Sequence, residues 1–160
     1  MHTATVRHGA IVGCGNVALH GHLPVWQERR DFQIVAAVET QPQQRRIAQE
    51  ALPGVRMYPH LDALLAEETL DFVDISTPPI AHVPAIIAAA QAGVHTLCEK
   101  PLTTSLEEYQ SVQAAVQHAG VVLHTVHNWQ YSDAFRTVQH LLATETIGAV
   151  RSITFDTARN

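Results

Sequence analysis

A glycine-rich turn near the start of the chain could hold a phosphate group. The sequence from Gly13 to Ala18 reads Gly-Cys-Gly-Asn-Val-Ala, and it follows a short apolar run and precedes a helical stretch. In a turn of this pattern, Gly13 turns the chain, Gly15 lets the backbone approach a pyrophosphate, and the small Ala18 allows close packing of helix and sheet. Asn16 and Val17 then open the helix, whose first N–H groups can bind negatively charged oxygens. The turn favours a dinucleotide site, although a glycine turn alone also occurs in α/β proteins that bind none.

An acidic residue at the end of the second apolar run supports the same interpretation. Glu39 lies 26 residues beyond Gly13, near the ~20-residue offset at which a carboxylate binds the ribose hydroxyls. Because a carboxylate repels a 2′-phosphate, Glu39 predicts NAD as the cofactor and makes NADP the lesser alternative. Arg45 and Arg46, on the next helical stretch, are interpreted as solvated helix charges. A methyltransferase of similar architecture also uses a glycine turn and an acid, so it is an alternative at this point.

A single lysine provides a candidate proton-transfer group. Lys100 is the only lysine beside nine arginines, and it lies in Glu99-Lys100-Pro101, directly after the fifth apolar run. A lysine at the end of a strand can shift its pKa and donate or accept a proton. This position favours an oxidoreductase over a methyltransferase, although a bias toward arginine could also leave one lysine. Thr96 stands four residues before Lys100, where a short-chain dehydrogenase requires tyrosine.

The elements that must position these residues alternate between short strands and longer helices. Several strand candidates are nearly continuous apolar runs, which is typical of parallel strands covered on both faces. The pattern predicts an α/β fold with a doubly wound parallel sheet of the Rossmann type. The predicted strands are Ala10–Val12, Gln33–Glu39, Arg56–Tyr58, Phe72–Ser76, His95–Cys98 and Val121–Val126. The predicted helices are Val17–Gln27, Gln43–Ala51, Leu61–Ala66, Ala81–Ala92 and Leu106–His118.

The last part of the chain has a different pattern. We predict a dinucleotide-binding domain over residues 1–126 and, over 127–160, a connecting helix at Ser132–Thr144 followed by a strand at Val150–Asp156. In that strand Ile153 and Phe155 alternate with polar residues, which is typical of a strand with one solvent-exposed face. The strand is either an edge or frayed tail of the main sheet, or the start of a truncated second α/β domain.

Composition excludes several other classes of function. The 160 residues carry a formal net charge of −5, which argues against a nucleic-acid-binding surface. Cys14 and Cys98 are far apart in sequence, so we expect no disulfide and a cytoplasmic location. No apolar run reaches the ~18 residues of a membrane span. We also expect no metal site, because the eleven histidines, among them His20 and His22, form no pattern of ligand spacing.

These motifs, in this order, resemble the glucose-fructose oxidoreductase/inositol dehydrogenase (Gfo/Idh/MocA) family. The resemblance rests on the glycine turn, on the Glu-Lys-Pro motif and on a segment reading Ser-Thr-Pro-Pro-x-x-His. It implies that this segment borders the cofactor, that Lys100 serves substrate and proton transfer beside Glu99, and that the Lys100–Pro101 bond is cis. Asn128 matches a family asparagine near the site, whereas Gln130 stands where arginine is usual, so a charge near the substrate is absent. The residues of the bordering segment are Ser76, Thr77, Pro78, Pro79 and His82.

The sequence therefore predicts an NAD-dependent oxidoreductase acting on a sugar, a polyol or a related small alcohol. The family's second catalytic group lies in a second domain that this chain does not match. We accordingly expect the 160-residue chain to bind NAD, to turn over substrate poorly or not at all, and to form a homo-oligomer. The alternative is a non-catalytic dinucleotide-binding module, or a truncated product that lacks the substrate domain.

Overall fold

Six parallel strands form one sheet at the centre of the fold. The computed structural model describes residues 5–154 and residue 156. The strand order is β3-β2-β1-β4-β5-β6, and every neighbouring pair is parallel. The predicted α/β class and doubly wound sheet are confirmed. The strands are β1 Arg7–Val12, β2 Phe32–Val38, β3 Arg56–Tyr58, β4 Phe72–Ile75, β5 His95–Cys98 and β6 Leu123–Thr125.

The helices lie close to their predicted positions, with one difference in type. Val17–His22 is a π-helical segment that leads into a short α-helix, rather than one continuous α-helix. The Leu23 N–H donates to the Ala18 carbonyl five residues back, and Pro24 has no N–H for the ordinary bond four residues back. The α-helices are α1 Leu23–Glu28, α2 Pro42–Ala51, α3 Leu61–Glu67, α4 His82–Gln91, α5 Leu106–Ala119 and α6 Asp133–Ala143.

Both faces of the sheet are buried, as the continuous apolar strands predict. In β1, Ala10 and Val12 pack with α3, α4 and α5 on one face, in a cluster that includes Ile86. Ile11, which lies between them, points to the other face and packs with α1 and α2, in a cluster that includes Leu23. Alternate side chains of one strand therefore contribute to two separate cores. These cores hold the carboxyl ends of the strands in place.

The chain divides into two compact units, residues 1–126 and 127–160. In the second unit, a 3₁₀ turn at Asn128–Tyr131 precedes α6, and the Ser132 hydroxyl caps α6 by accepting from the Phe135 N–H at 3.3 Å. The strand predicted at Val150–Asp156 is wrong for its described residues, 150–154 and 156, which adopt no strand. An alternating sequence forms a strand only with a partner to complete the ladder, and these residues pair with none. Phe155 lies outside the described residues.

Candidate dinucleotide site and Glu-Lys-Pro loop

The glycine turn joins β1 to the π-helical segment. Gly13 has a φ of +88°, and a Cβ atom placed there would lie 2.7 Å from Thr77 Cγ2 and 3.0 Å from the Thr77 backbone. Only glycine fits this conformation and this close approach. A Cβ at Gly15 would meet nothing within 4 Å. The turn therefore packs tightly against the loop after β4 at Gly13 and is open at Gly15.

A cleft of about 650 Å³ opens at the carboxyl ends of β1, β2 and β4. The order in which strands are added to the sheet changes direction between β1 and β4, which makes this position the topological switch point of the sheet. Ligands of open α/β sheets bind at the switch point. Asn16 and Val17 are exposed but are not part of the cleft lining. Residues that the sequence did not single out, Gln44, His60 and Asp62, also line it. The predicted site residues in the lining are Gly13, Gly15, Glu39, Ser76, Thr77 and Pro78.

The residues of the cleft fit a dinucleotide. Gly15 leaves open the space through which a pyrophosphate would approach the backbone. The Thr77 hydroxyl oxygen is buried and has no hydrogen-bond partner among the described residues, so a polar atom of a ligand could satisfy it. The buried Ala18 allows the π-helical segment to pack closely on the sheet.

Glu39 is fixed at the edge of this cleft. One carboxylate oxygen accepts from the Cys14 N–H at 3.1 Å and the other from the Gln41 N–H at 2.9 Å. A carboxylate has about four acceptor positions, so Glu39 can still accept from ribose hydroxyls. The interpretation of Arg45 as a solvated charge is wrong, because its guanidinium donates to the carbonyls of Glu39 and Thr40, which stabilises the loop after β2.

His82 supports the site from beneath rather than lining it. The side chain is fully buried at the start of α4. Its Nδ1 lies 2.9 Å from the Pro101 carbonyl oxygen, and its Nε2 lies 2.8 Å from the Thr77 carbonyl oxygen. It therefore has no surface for a cofactor and instead joins the loops after β4 and β5. Pro79 begins the exposed 3₁₀ turn before α4 and is not in the cleft lining.

The Glu-Lys-Pro motif forms the loop after β5. The Lys100–Pro101 peptide bond is cis, as the family resemblance implies. Glu99 donates its N–H to the Ile75 carbonyl at 2.9 Å, and its carboxylate accepts from the Lys100 N–H at 3.0 Å. The Lys100 side chain is exposed. The lone lysine thus lies at the carboxyl edge of the sheet, one strand away from β4.

The sequence did not identify a cluster of charged side chains below this loop. The imidazole of His22 lies between the carboxylates of Asp74 and Glu99. The pKa of His22 is raised above its usual value, mainly by the hydrogen bond to Asp74. Burial acts in the opposite direction and lowers it. The acid within the apolar strand β4 was the available signal, because a buried carboxylate requires a partner.

The two cysteine thiols take no part in the cleft chemistry. Cys14 and Cys98 are buried free thiols, and burial raises the pKa of each to about 12. Within residues 5–154 and 156, no group of three histidine, cysteine, aspartate or glutamate side chains could hold a metal ion. Across the same described residues, no helix is long and apolar enough to cross a membrane. Asn128 and Gln130 lie in the 3₁₀ turn of the second unit.

A parallel sheet in this order, with a glycine turn at its switch point, defines a Rossmann domain that binds a dinucleotide. The model of the Gfo/Idh/MocA oxidoreductases, described as an oxidoreductase family with an NAD-binding Rossmann fold, matches residues 7–127. The chain belongs to this family.

Similar proteins of known sequence include several sugar dehydrogenases. A D-apiose dehydrogenase of Paraburkholderia graminis is 35% identical over 148 residues, which cover 91% of this chain and 39% of that protein. A D-xylose 1-dehydrogenase (NADP(+)) of Haloferax volcanii is 32% identical over 145 residues, which cover 90% of this chain and 44% of that protein. The chain therefore spans about two fifths of the length of these relatives.

Solved structures share the same fold. An oxidoreductase from Agrobacterium radiobacter, in complex with NAD+, L-tartaric acid and magnesium, is 26% identical with a TM-score of 0.84. The WlbA dehydrogenase from Bordetella pertussis, in complex with NADH and UDP-GlcNAcA, is also 26% identical with a TM-score of 0.84. The matches cover 91% and 89% of this chain and 42% and 43% of those chains.

Proposed function

We propose that this chain is the cofactor-binding part of an NAD-dependent dehydrogenase that acts on a sugar, a polyol or a related small alcohol. The observation that carries the proposal is the cleft at the switch point of the sheet, with Glu39 fixed at its edge. The relatives named for D-apiose and D-xylose support the substrate class. A bound nicotinamide would supply the hydride chemistry, which the protein itself cannot provide.

The chain's own residues have three roles in this proposal. Gly13 and Gly15 shape the turn that receives the pyrophosphate, and Thr77 offers its unpaired hydroxyl to the ligand. Glu39 accepts from the ribose hydroxyls. Lys100 Nζ holds or moves the proton of the substrate hydroxyl, and Glu99 fixes the Lys100 backbone beside it.

The preference for NAD over NADP follows from the charge of Glu39. A 2′-phosphate would lie against a carboxylate whose position is fixed by two backbone N–H groups. Arg45, a cation of α2 close to Glu39, already donates to the carbonyl oxygens of Glu39 and Thr40. One relative is named for NADP(+), and calorimetric titration of this chain with NAD+ and NADP+ measures the preference directly.

The alternative function is a dinucleotide-binding module without turnover. It is favoured by one observation, that Lys100 is exposed and does not line the cleft. A reducing cytoplasm is supported by the two free thiols. A homo-oligomer is supported by exposed apolar side chains of the second unit, such as Trp129, Ile147 and Ile153.

Steady-state assays with NAD+ test the dehydrogenase proposal. D-apiose, D-xylose and inositol serve as substrates, and the chain is compared with its Lys100→Arg and Lys100→Ala variants. Lys100→Arg keeps the positive charge but cannot release a proton, so it should be as inactive as Lys100→Ala. NAD+ binding without turnover of any of these substrates would favour the binding module. Failure to bind either NAD+ or NADP+ would contradict both functions.

A further inference from the structure

The buried cluster below the Glu-Lys-Pro loop joins three separate parts of the chain. His22 Nδ1 lies 2.9 Å from both carboxylate oxygens of Asp74, and His22 Nε2 lies 3.1 Å from Glu99 Oε1. The Trp26 indole N–H donates to Asp74 at 2.6 Å. Ser76 Oγ, from the cofactor cleft, lies 3.3 Å from His22 Nδ1. The cluster therefore connects the cleft to the loop that carries Lys100.

The geometry points to a positively charged ring. An ionised carboxylate only accepts hydrogen bonds, so each ring nitrogen of His22 must carry a proton to bond its neighbour. A doubly protonated ring is an imidazolium. Asp74 is fully buried, and the positive ring offsets a carboxylate that would otherwise be without a counter-charge.

Few other ionisable groups face this ring. Beside His22 itself, which belongs to the π-helical segment, β4 contributes Asp74 and the residue after β5 contributes Glu99. Cys98 packs with Ile75 on the other face of the sheet, and its thiol adds no charge because burial, together with the charges of Asp74 and Glu99, raises its pKa to about 12. The cluster thus holds two carboxylates and one imidazolium.

We infer that His22 is a positioning residue, a buried imidazolium that ties the Glu99 carboxylate to Asp74 and thereby sets the Lys100 backbone. Glu99 Oε1 forms a hydrogen bond with His22 Nε2, and Glu99 Oε2 accepts from the Lys100 N–H. A change in the protonation of the ring therefore affects the carboxylate that holds the Lys100 backbone. The catalytic meaning of this link rests on the proposed function of Lys100. When His22 loses the proton on Nε2, Glu99 Oε1 loses its hydrogen-bond donor. The Glu99 side chain is then no longer held by the ring.

Nitrogen-15 NMR of the 160-residue chain tests the link without cofactor or substrate. The ring nitrogens of His22 should both remain protonated above pH ~6.5, the usual pKa of a histidine side chain. The Lys100 amide resonance should move with the same midpoint as the His22 ring. Glu99→Gln should lower the His22 midpoint, because one carboxylate is lost while Asp74 remains.

The matched control compares His22→Gln with His20→Gln, because the two residues belong to the same helical segment and His20 is exposed. The pH-dependent movement of the Lys100 amide should disappear in His22→Gln and persist in His20→Gln. A neutral His22 ring at pH 6, or a Lys100 amide that does not follow the His22 midpoint in the wild-type chain, would overturn the inference. If His22→Gln fails to fold, the wild-type titration still decides.

Enzyme assays separate this inference from the proposed function. In a chain that turns over substrate, His22→Gln should lower kcat by about 100-fold, the scale of a small misplacement of a reacting group, and change its pH profile. Unchanged turnover in Lys100→Ala would refute the proposed function and leave the NMR result standing. Absence of the NMR link, with turnover lost in Lys100→Ala, would refute the positioning role alone.

Discussion

The two glycines of the turn offer a matched test of what each position requires. Gly13→Ala places a Cβ atom 2.7 Å from Thr77 Cγ2 and 3.0 Å from the Thr77 backbone, at a φ of +88°. A side chain in that conformation costs roughly 1–2 kcal/mol, and overpacking adds typically 1–3 kcal/mol. We therefore expect Gly13→Ala to lower the free energy of unfolding by about 2–5 kcal/mol, measured by urea denaturation.

Gly15→Ala should show the opposite behaviour. Its φ is not in the left-handed range, and its Cβ would meet no atom within 4 Å, so the free energy of unfolding should change by less than about 1 kcal/mol. The same Cβ would occupy the space through which a pyrophosphate approaches. Overpacking of about 1–3 kcal/mol corresponds to a loss of NAD+ affinity of roughly 5- to 150-fold in calorimetric titration.

The two variants together can refute the argument. If Gly15→Ala binds NAD+ as tightly as the wild-type chain, the pyrophosphate does not approach this backbone. If Gly13→Ala is as stable as the wild-type chain, the contact with Thr77 does not constrain the turn.

Three further measurements follow from the site. Glu39→Gln should narrow the preference for NAD+ over NADP+ by about 1–3 kcal/mol in calorimetric titration with both, and an unchanged preference would show that another group selects the cofactor. Lys100→Ala should leave NAD+ affinity within a few-fold while turnover falls by ~10²–10⁴, and a large loss of affinity would place Lys100 on the cofactor rather than the substrate. Because the pKa of His22 is raised in the folded chain, its stabilising contribution is complete below pH ~6.5 and is lost as the pH rises through the folded value. The difference in unfolding free energy between wild-type and His22→Gln should therefore shrink between pH 6 and pH 9 in urea denaturation, and a constant difference would contradict the raised pKa.

The sequence predicts the sheet well because its strands are apolar runs that only a two-sided core explains. Strand boundaries are less visible in sequence. β1 begins at Arg7 rather than Ala10, because Arg7 pairs with Phe32 and its guanidinium binds Asp71 at 2.6 Å. Both contacts depend on partners far away in sequence. The strand predicted around Ile153 fails for the same reason, because an alternating pattern does not specify a partner.

The candidate site was predictable where one short motif contains the necessary chemistry. Residue type and position after a strand were sufficient to identify the glycine turn, Glu39 and the Glu-Lys-Pro loop. His82 and His22 do not, because their partners lie in other loops: Thr77 and Pro101 for His82, and Asp74 and Glu99 for His22. The spacing of His20 and His22 indicated only that they do not match the pattern of metal ligands.

The buried acid of β4 connects these observations into one argument. An Asp74 that is fully buried between apolar strand residues is a poor choice for stability, since a buried ion pair is often no better than well-packed hydrophobic side chains. Its three polar neighbours come from the π-helical segment, α1 and the end of β4. The same π-helical segment begins at the glycine turn, and the bond from Leu23 to Ala18 gives it the wider winding that leads to His22. One unusual helical segment thus connects the phosphate end of the cleft to the loop of Lys100, and the buried charge beneath it is explained by that connection rather than by the stability of the core.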